Sequence, residues 1–322
     1  MKVLLTGSFG NVGLSALDEL MERGHTVRCF DLPTKANRNT AKRYIDTAEI
    51  VWGDLRDPED VTAAVHEQDI VVHLAFVIPR LSSTGVNCEE RPDWARAINV
   101  GGTQNLIGAL QSQPKPPRLI FTSSFHVYGR TQDRPPPRTV NDPLKPVEHY
   151  ARHKVTCEKL VENAGLEWST LRLGAALPVR LILDAGMFDV PLENRIEYVH
   201  RRDVGVAIAN AVESMSVWGR TWLIGGGVNC QYEYREIVEQ VLERVGIGML
   251  PAEAFSSTPY GTDWLDTTES QRVLRYQRRT LDDYLQDLSD QLGYRRTLAR
   301  AFRPLVRAWL LSRSPYYRTA EL

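Results

Sequence analysis

Ser124, Tyr150 and Lys154 are residue types that proton chemistry at a secondary alcohol or ketone requires. Tyr150 and Lys154 are spaced i, i+4, so a helix places them on one face. A phenol holds its proton until about pH 10 in water, and an ammonium one turn away lowers that value. Tyr150 is then expected to act as general acid or base, with Ser124 bonding the carbonyl oxygen. An isolated Tyr-x-x-x-Lys is usually a surface pair, so the surrounding elements must decide.

Those elements begin at residues 1–13, MKVLLTGSFGNVG. An apolar run (Val3, Leu4, Leu5) leads through Thr6 to glycines at Gly7, Gly10 and Gly13. Leu14, Leu17, Leu20 and Met21 then follow helical spacing. A buried strand, a glycine turn and a helix are the setting of a dinucleotide fingerprint. Gly7 permits the tight turn, Gly10 admits a pyrophosphate to the backbone, and Gly13 lets helix and strand pack closely. A second strand at 25–30 ends in Asp31. An acid there suits a ribose 2′-hydroxyl and repels a 2′-phosphate, so NAD is expected over NADP. Lys35, Arg38 and Lys42 just downstream are the opposing signal. With a dinucleotide in place, the nicotinamide's charge also acidifies Tyr150, and Lys154 has its ribose to bind.

The rest of the chain reads as alternating strands and helices. Strands are expected at 48–52, 70–75, 119–122 and 167–173, with helices at 59–66, 94–110 and 150–164. That alternation implies an α/β fold with a doubly wound parallel sheet. Asp54 ends a strand, where its carboxylate suits an adenine amino group or a helix cap. His73 reads as a structural histidine, with no second metal-type residue beside it, and no metal is expected. Residues 76–92 form a loop at a strand's C-terminal end, where α/β proteins place ligands. Residues 130–147 are proline-rich and irregular. A strand is expected at 196–200, a helix at 204–214 capped by Asp203, a strand at 221–224 and a helix at 232–245.

The expected organisation is a dinucleotide-binding core at 1–173, rejoined by 196–225, with a substrate lobe from 174–195 and 226–294. The tail, 295–322, sets Leu298, Phe302, Leu305, Val306, Trp309 and Leu310 among six arginines between 295 and 313. Such a helix can lie on an anionic membrane or on an acidic partner, but packing its apolar stripe on the protein's own surface is the favoured expectation.

A net charge of −1 gives no reason to expect nucleic acid, and 43% hydrophobic with 25% charged residues is ordinary for a globular protein. Four scattered cysteines read as free thiols in a reducing cytoplasm. Neither a secretory leader nor an apolar run of membrane-spanning length is recognisable.

The chain resembles the extended short-chain dehydrogenase/reductases, the NAD-dependent epimerase/dehydratases best known from UDP-galactose 4-epimerases. The resemblance rests on TGSFGNVG at 6–13, GDLRD at 53–57, HLA at 73–75, Asn99 with Gly101, Gly102 and Thr103, SSFHVYG at 123–129, YARHK at 150–154, LRLG at 171–174 and YVHRRDV at 198–204. DTTESQRVLRYQ at 266–277 is similar to the family's C-terminal pattern. It implies a Rossmann-type sheet with a smaller mixed substrate lobe. It also implies that Gly7, Gly10 and Gly13 hold the pyrophosphate, with Phe9, Asn11 and Val12 in the same cofactor turn. Asp31 would bind the adenosine ribose, Asp54 and Leu55 would flank adenine, and Leu74 and Ala75 would lie beside the cofactor. Asn99 would support the site, with Ser124, Tyr150 and Lys154 catalytic and the latter two also touching NAD. Phe76, Ile78, Ser124, Phe125, His126, Pro178 and Arg180 are the candidate substrate residues. A homodimer through 94–110 and 150–164 follows from the same resemblance.

One departure is informative. The 4,6-dehydratases of this family carry an Asp-Glu pair where this chain has Phe125 and His126, which disfavours elimination of water by that route. No nucleotide-sugar diphosphate clamp is recognisable; Arg180, Arg195 and Arg201 are the candidate anion binders. The expected function is NAD-dependent hydride transfer at a carbinol or ketone of a small molecule, a sugar derivative among them. The rivals are a nucleotide-sugar 4-epimerase with retained NAD and a non-catalytic dinucleotide sensor.

Overall fold

The computed structural model describes residues 1–79, 85–180 and 184–317. Parts of the loop 76–92, of the segment 174–201 and of the tail 295–322 lie outside the described residues. The strands are β1 (Lys2–Thr6), β2 (Thr26–Asp31), β3 (Glu49–Trp52), β4 (Ile70–His73), β5 (Arg118–Ser124), β6 (Trp168–Leu173), β7 (Arg195–Glu197), β8 (Arg220–Ile224) and β9 (Gln231–Glu233). The helices are α1 (Asn11–Glu22), α2 (Lys35–Ala41), α3 (Pro58–Val65), α4 (Pro92–Arg96), α5 (Gly102–Gln111) and α6 (His149–Glu162). They continue with α7 (Arg201–Glu213), α8 (Tyr234–Val245), α9 (Thr268–Leu274), α10 (Leu281–Leu292), α11 (Arg295–Ala301) and α12 (Arg303–Leu311).

A seven-stranded sheet runs in the order β3-β2-β1-β4-β5-β6-β8, every pairing parallel. Its inner strands are buried on both faces, as β4 shows at all of its positions, which is why they read as unbroken apolar runs. One face is covered by α1 and α7, the other by α3, α5 and α6. A second core gathers α8, α10 and the short turn at Phe125–Tyr128, with β7 and β9 paired antiparallel beside it. The chain leaves the sheet after β6 and re-enters it at β8. The strand order reverses between β1 and β4, so a ligand crevice is expected above their C-terminal ends.

The helix expected at 94–110 is interrupted. A π-helical turn, Ala97–Gly101, separates α4 from α5. The Thr103 hydroxyl donates to the Asn99 carbonyl at 2.6 Å, while the Asn99 amide is spent on a neighbouring loop. Such inserted bonds are a common cause of a broken ladder.

Asp203 is not the cap of its helix. His200 caps α7, accepting from the Arg202 amide at 3.2 Å, and Asp203 lies in the first turn. Its buried carboxylate accepts from the Arg278 and Arg279 amides, 2.8 Å each, and pairs with the Arg279 guanidinium. The strand expected at 196–200 is therefore only β7, with Tyr198 making a single bridge to Ala175. The helix expected from 232 starts at Tyr234, because 231–233 pair with β7. The polar stretch after Asp31 holds α2, whose cap Thr34 accepts from the Asn37 amide at 3.1 Å.

Candidate active site

The crevice is built from glycine geometry first. Gly7 sits at φ +69°, and a Cβ there would lie 2.8 Å from the Ala75 backbone at the end of β4. A Cβ on Gly13 would overlap the Gly7 carbonyl oxygen. The turn thus closes against α1 and β4 only without side chains. Gly10 is the N-cap of α1 and offers no side-chain cap, which leaves the first helical amides turned to the crevice. Asp31, at the end of β2, accepts from the Phe9 amide at 3.0 Å and from the Leu32 amide and Asn37 side chain at 2.9 Å. Burial raises its pKa against those bonds. The uncapped helix start, the side-chain-free cradle and the adjoining acid fit a dinucleotide.

The other cofactor-side residues are held in different ways. The Phe9 ring packs between Tyr44 and Trp52, so its amide, not its ring, serves the turn. Asn11 donates to the Ala176 carbonyl at 3.0 Å, tying the turn to the segment after β6. Val12 packs partly buried against the first core. The Asp54 carboxylate is engaged by Arg56 and lowered by it against a partial desolvation cost. Leu55 is buried against Gly102. Arg38 stacks on Trp52, 5.3 Å from the ring centre.

A buried relay runs from the glycine strand toward Asn99. The Thr6 hydroxyl contacts His73 Nδ1 at 2.8 Å and accepts from the Leu74 and Ala75 amides at 3.2 Å. His73 Nε2 lies 3.1 Å from the Thr103 hydroxyl, which donates to the Asn99 carbonyl. Assigned from this network, the neutral ring carries its proton on Nε2. Burial drives the imidazole down to about 3, so His73 stays neutral and structural. The Asn99 amide holds the loop after β4 at both of its groups: Oδ1 accepts from the Val77 amide at 2.7 Å, and Nδ2 donates to the Val77 carbonyl at 3.0 Å.

Ser124, Tyr150 and Lys154 are brought together across β5 and α6. Ser124 is the last residue of β5 and Tyr150 lies in the first turn of α6, and the Ser124 side chain stands close enough to the phenol to favour its ionised form. Because the sheet is parallel, Ser124 shares its C-terminal edge with Gly7 and Ala75. Helix α6 is fixed by the buried bidentate pair of Arg172 on β6 with Glu158, at 3.0 and 2.8 Å. Its N-terminus is capped by Glu89, whose carboxylate accepts from the His149 and Tyr150 amides at 2.9 Å each. Glu89 was invisible in the sequence, because an acid sixty residues away carries no local signal of a cap.

The electrostatics differ from the expectation. Burial pushes the Tyr150 phenol up to about 12, only partly offset by the nearby Ser124 hydroxyl. Lys154 does not acidify it, because desolvation takes the lysine itself down to about 7. Its Nζ donates to the Thr122 carbonyl at 2.6 Å and lies 5.8 Å from the Tyr150 ring centre.

On the substrate side, the Phe76 ring meets Tyr150 edge-on at 5.8 Å. His126 meets Tyr150 at 6.0 Å and Tyr260 at 5.6 Å, and its Nδ1 lies 3.6 Å from a Glu148 carboxylate oxygen. Glu148 is held low by that histidine against the cost of burial. Phe125 is buried in the second core, which fixes the turn that carries His126. Ile78 follows on the same loop as Phe76 and is half-buried. Pro178 is half-buried after β6, its carbonyl accepting from the Arg180 amide at 2.8 Å, while Arg180 is exposed. Of two candidate anion binders, Arg195 pairs with buried Asp263 at 2.7 Å. Arg201 donates to the neutral Ser15 hydroxyl at 3.1 Å, and its buried Nε has no hydrogen-bond partner among the described residues, so of the two Arg195 alone has its charge matched there.

Residues 3–176 match the model of the NAD dependent epimerase/dehydratase family. The chain belongs to that family. Its members include relatives of varied reach along this chain. A 3-beta-hydroxysteroid dehydrogenase of Mycolicibacterium neoaurum is 36% identical over 137 residues, 41% of this chain and 34% of that protein. The chain therefore matches about a third of that relative's length. An L-arabinose 1-dehydrogenase (NAD(P)(+)) of Haloferax volcanii is 26% identical over 295 residues, 86% of this chain and 96% of the relative. Among solved structures, a UDP-glucose-4-epimerase from Stenotrophomonas maltophila with bound NAD superposes with a TM-score of 0.74 at 23% identity. That match covers 94% of this chain and 99% of the other, and establishes a shared fold. This member of the epimerase/dehydratase family thus has the Rossmann-type sheet and belongs to an NAD-dependent group.

Proposed function

We propose that the chain is an NAD-dependent oxidoreductase or epimerase acting at a secondary alcohol or ketone of a small molecule. The observation that carries this reading is the Ser124 side chain beside the Tyr150 phenol at the sheet edge that also holds the glycine turn. Bound NAD supplies the hydride acceptor. With the positively charged nicotinamide beside it favouring the ionised phenol, the Tyr150 phenolate Oη would take the carbinol proton as the C–H hydride leaves, and the phenol would return a proton in the reverse direction. Ser124 Oγ holds the substrate oxygen in line, and Lys154 is proposed to bind the nicotinamide ribose. Asp31, Gly7, Gly10 and Gly13 are proposed to bind the dinucleotide.

The pairing of Arg195 with Asp263 favours a substrate without a diphosphate to clamp at that residue. The relatives named as steroid and arabinose dehydrogenases agree with that class. A homodimer is proposed through α5 and α6, whose outer faces share a hollow of about 520 Å³ lined by Ile107, Gly108, Val155 and Leu160. The buried free thiols Cys29, Cys88, Cys157 and Cys230 suit a reducing cytoplasm.

The test is NADH formation by the purified chain with hydroxysteroids, aldoses and UDP-sugars. Turnover of a non-nucleotide carbinol supports the reading. NAD that is retained and released only on denaturation, with interconversion of UDP-sugars, would assign the 4-epimerase instead. NAD binding with no turnover of any of the three classes would leave a sensor.

A further inference from the structure

Helices α11 and α12 form a nearly continuous rod, because the Phe302 amide bonds the Leu298 carbonyl and the Val306 amide bonds the Phe302 carbonyl, both at 3.0 Å. Its inner side is seated on the second core. Leu310 is fully buried in that core, and Ala299, Val306 and Leu311 pack partly buried against the same core. Arg307 Nη1 donates to the carbonyls of Ile247, Gly248 and Met249 at 3.1, 2.9 and 2.6 Å, and the Ser314 hydroxyl bonds Ala254 at 2.6 Å. The rod is thus held in one rotational setting.

That setting turns a second apolar stripe outward. Leu298, Phe302, Leu305 and Trp309 follow one another at spacings of four, three and four and are 50%, 55%, 68% and 43% exposed. A surface helix ordinarily buries its single apolar face and shows water a polar one. Here the sequence expectation of an apolar stripe packed on the protein is met only by the inner residues. The outer stripe is bordered by exposed Arg295 and Arg313, the latter stacked on Trp309 at 4.4 Å, while exposed Arg300 lies on the flank turned toward Gly246. The sequence holds no acid between Asp290 and Glu321. Tyr294, 74% exposed, stands at one end of the stripe and Trp309 toward the other.

We propose that this face seats the protein on an anionic lipid bilayer. The stripe is convex, wrapped in arginine and edged by Tyr and Trp, the side chains that favour a headgroup boundary. A second copy of the same face would bring arginine against arginine, which disfavours self-association. No helix among the described residues is long and apolar enough to cross a membrane, so the contact is peripheral.

The experiment is vesicle sedimentation of the full chain, with phosphatidylcholine alone and with phosphatidylglycerol mixed into it. Sedimentation with the anionic vesicles only, weakened by salt, is expected. Each surface arginine contributes on the order of a fivefold gain in partition, so Arg295→Gln, Arg300→Gln and Arg313→Gln together reduce binding about a hundredfold. Phe302→Ser with Leu305→Ser reduces it by at least about tenfold. All five positions are exposed, so unchanged circular dichroism and thermal midpoint verify folding. Equal sedimentation by either variant overturns the proposal. So does failure of the parent to sediment with the anionic vesicles, equal sedimentation with both vesicle types, or a dimer that Phe302→Ser dissolves.

Discussion

The Lys154 ammonium lies 3.5 Å from the centre of the Phe76 ring while its proton is donated to the Thr122 carbonyl. The lysine of the site is thus held by a strand carbonyl and an aromatic face, with burial as the opposing force. A desolvated cation–π contact is worth about 2 kcal/mol, yet the lysine still falls to about 7.

That balance makes stability depend on pH. Lys154 titrates near 7 folded and near 10.5 unfolded, so across that window the unfolded chain binds more protons. This group's penalty is full below pH 7 and relieved as pH rises. Tyr150 acts oppositely only above pH 10, where the folded phenol keeps its proton to about 12. The Lys154 contribution to the thermal midpoint is expected to climb between about pH 7 and 9, and Lys154→Met to remove that climb. Parent and variant profiles of equal slope would show that Lys154 is not the titrating group.

Phe76→Leu removes the aromatic face and leaves the carbonyl bond. Its Lys154 is expected to lose its proton at lower pH, moving the climb in stability down by up to about one unit. An unmoved profile would mean that the ring contributes nothing to the charge.

Tyr150→Phe keeps the ring packing against Phe76 and His126 and deletes the hydroxyl that stands beside Ser124. Turnover is expected to fall about 10²- to 10⁴-fold while NAD affinity, read by calorimetry, changes little. Retained turnover would remove the phenol from the chemistry.

Gly13→Ala places a methyl against the Gly7 carbonyl. The turn must open, costing about 1–3 kcal/mol of stability and most of the NAD affinity. Thermal melting with and without NAD measures both, and a variant that NAD still stabilises as strongly as the parent contradicts the proposed cradle.

Asn99→Ala strands the buried amide and carbonyl of Val77. A loss of about 1–3 kcal/mol is expected, with turnover reduced more than NAD affinity, because the loop it anchors begins with Phe76. Equal losses in both would make Asn99 a general stabiliser.

Local chemistry accounts for the features that are legible in the sequence. The glycine turn, the apolar strands and the Tyr150–Lys154 spacing follow from backbone freedom, from burial on both sheet faces and from the 3.6-residue repeat. The split of the helix at Asn99 is not legible, because it arises from a loop held by the Asn99 side chain across the fold. The capping role expected of Asp203 fails for a similar reason: its partners are the amides of Arg278 and Arg279, far along the chain.

The amino-acid sequence by itself determined the family, the parallel sheet and the residue types at the site, since these are written in short-range patterns. Tertiary structure decided where the charge sits. Only packing could show that burial outweighs the lysine at Tyr150, that Arg195 is paired with Asp263, and that the tail has two apolar sides with one facing outward. Desolvation and long-range partnership depend on which segments meet, and spacing along a chain carries no record of that meeting.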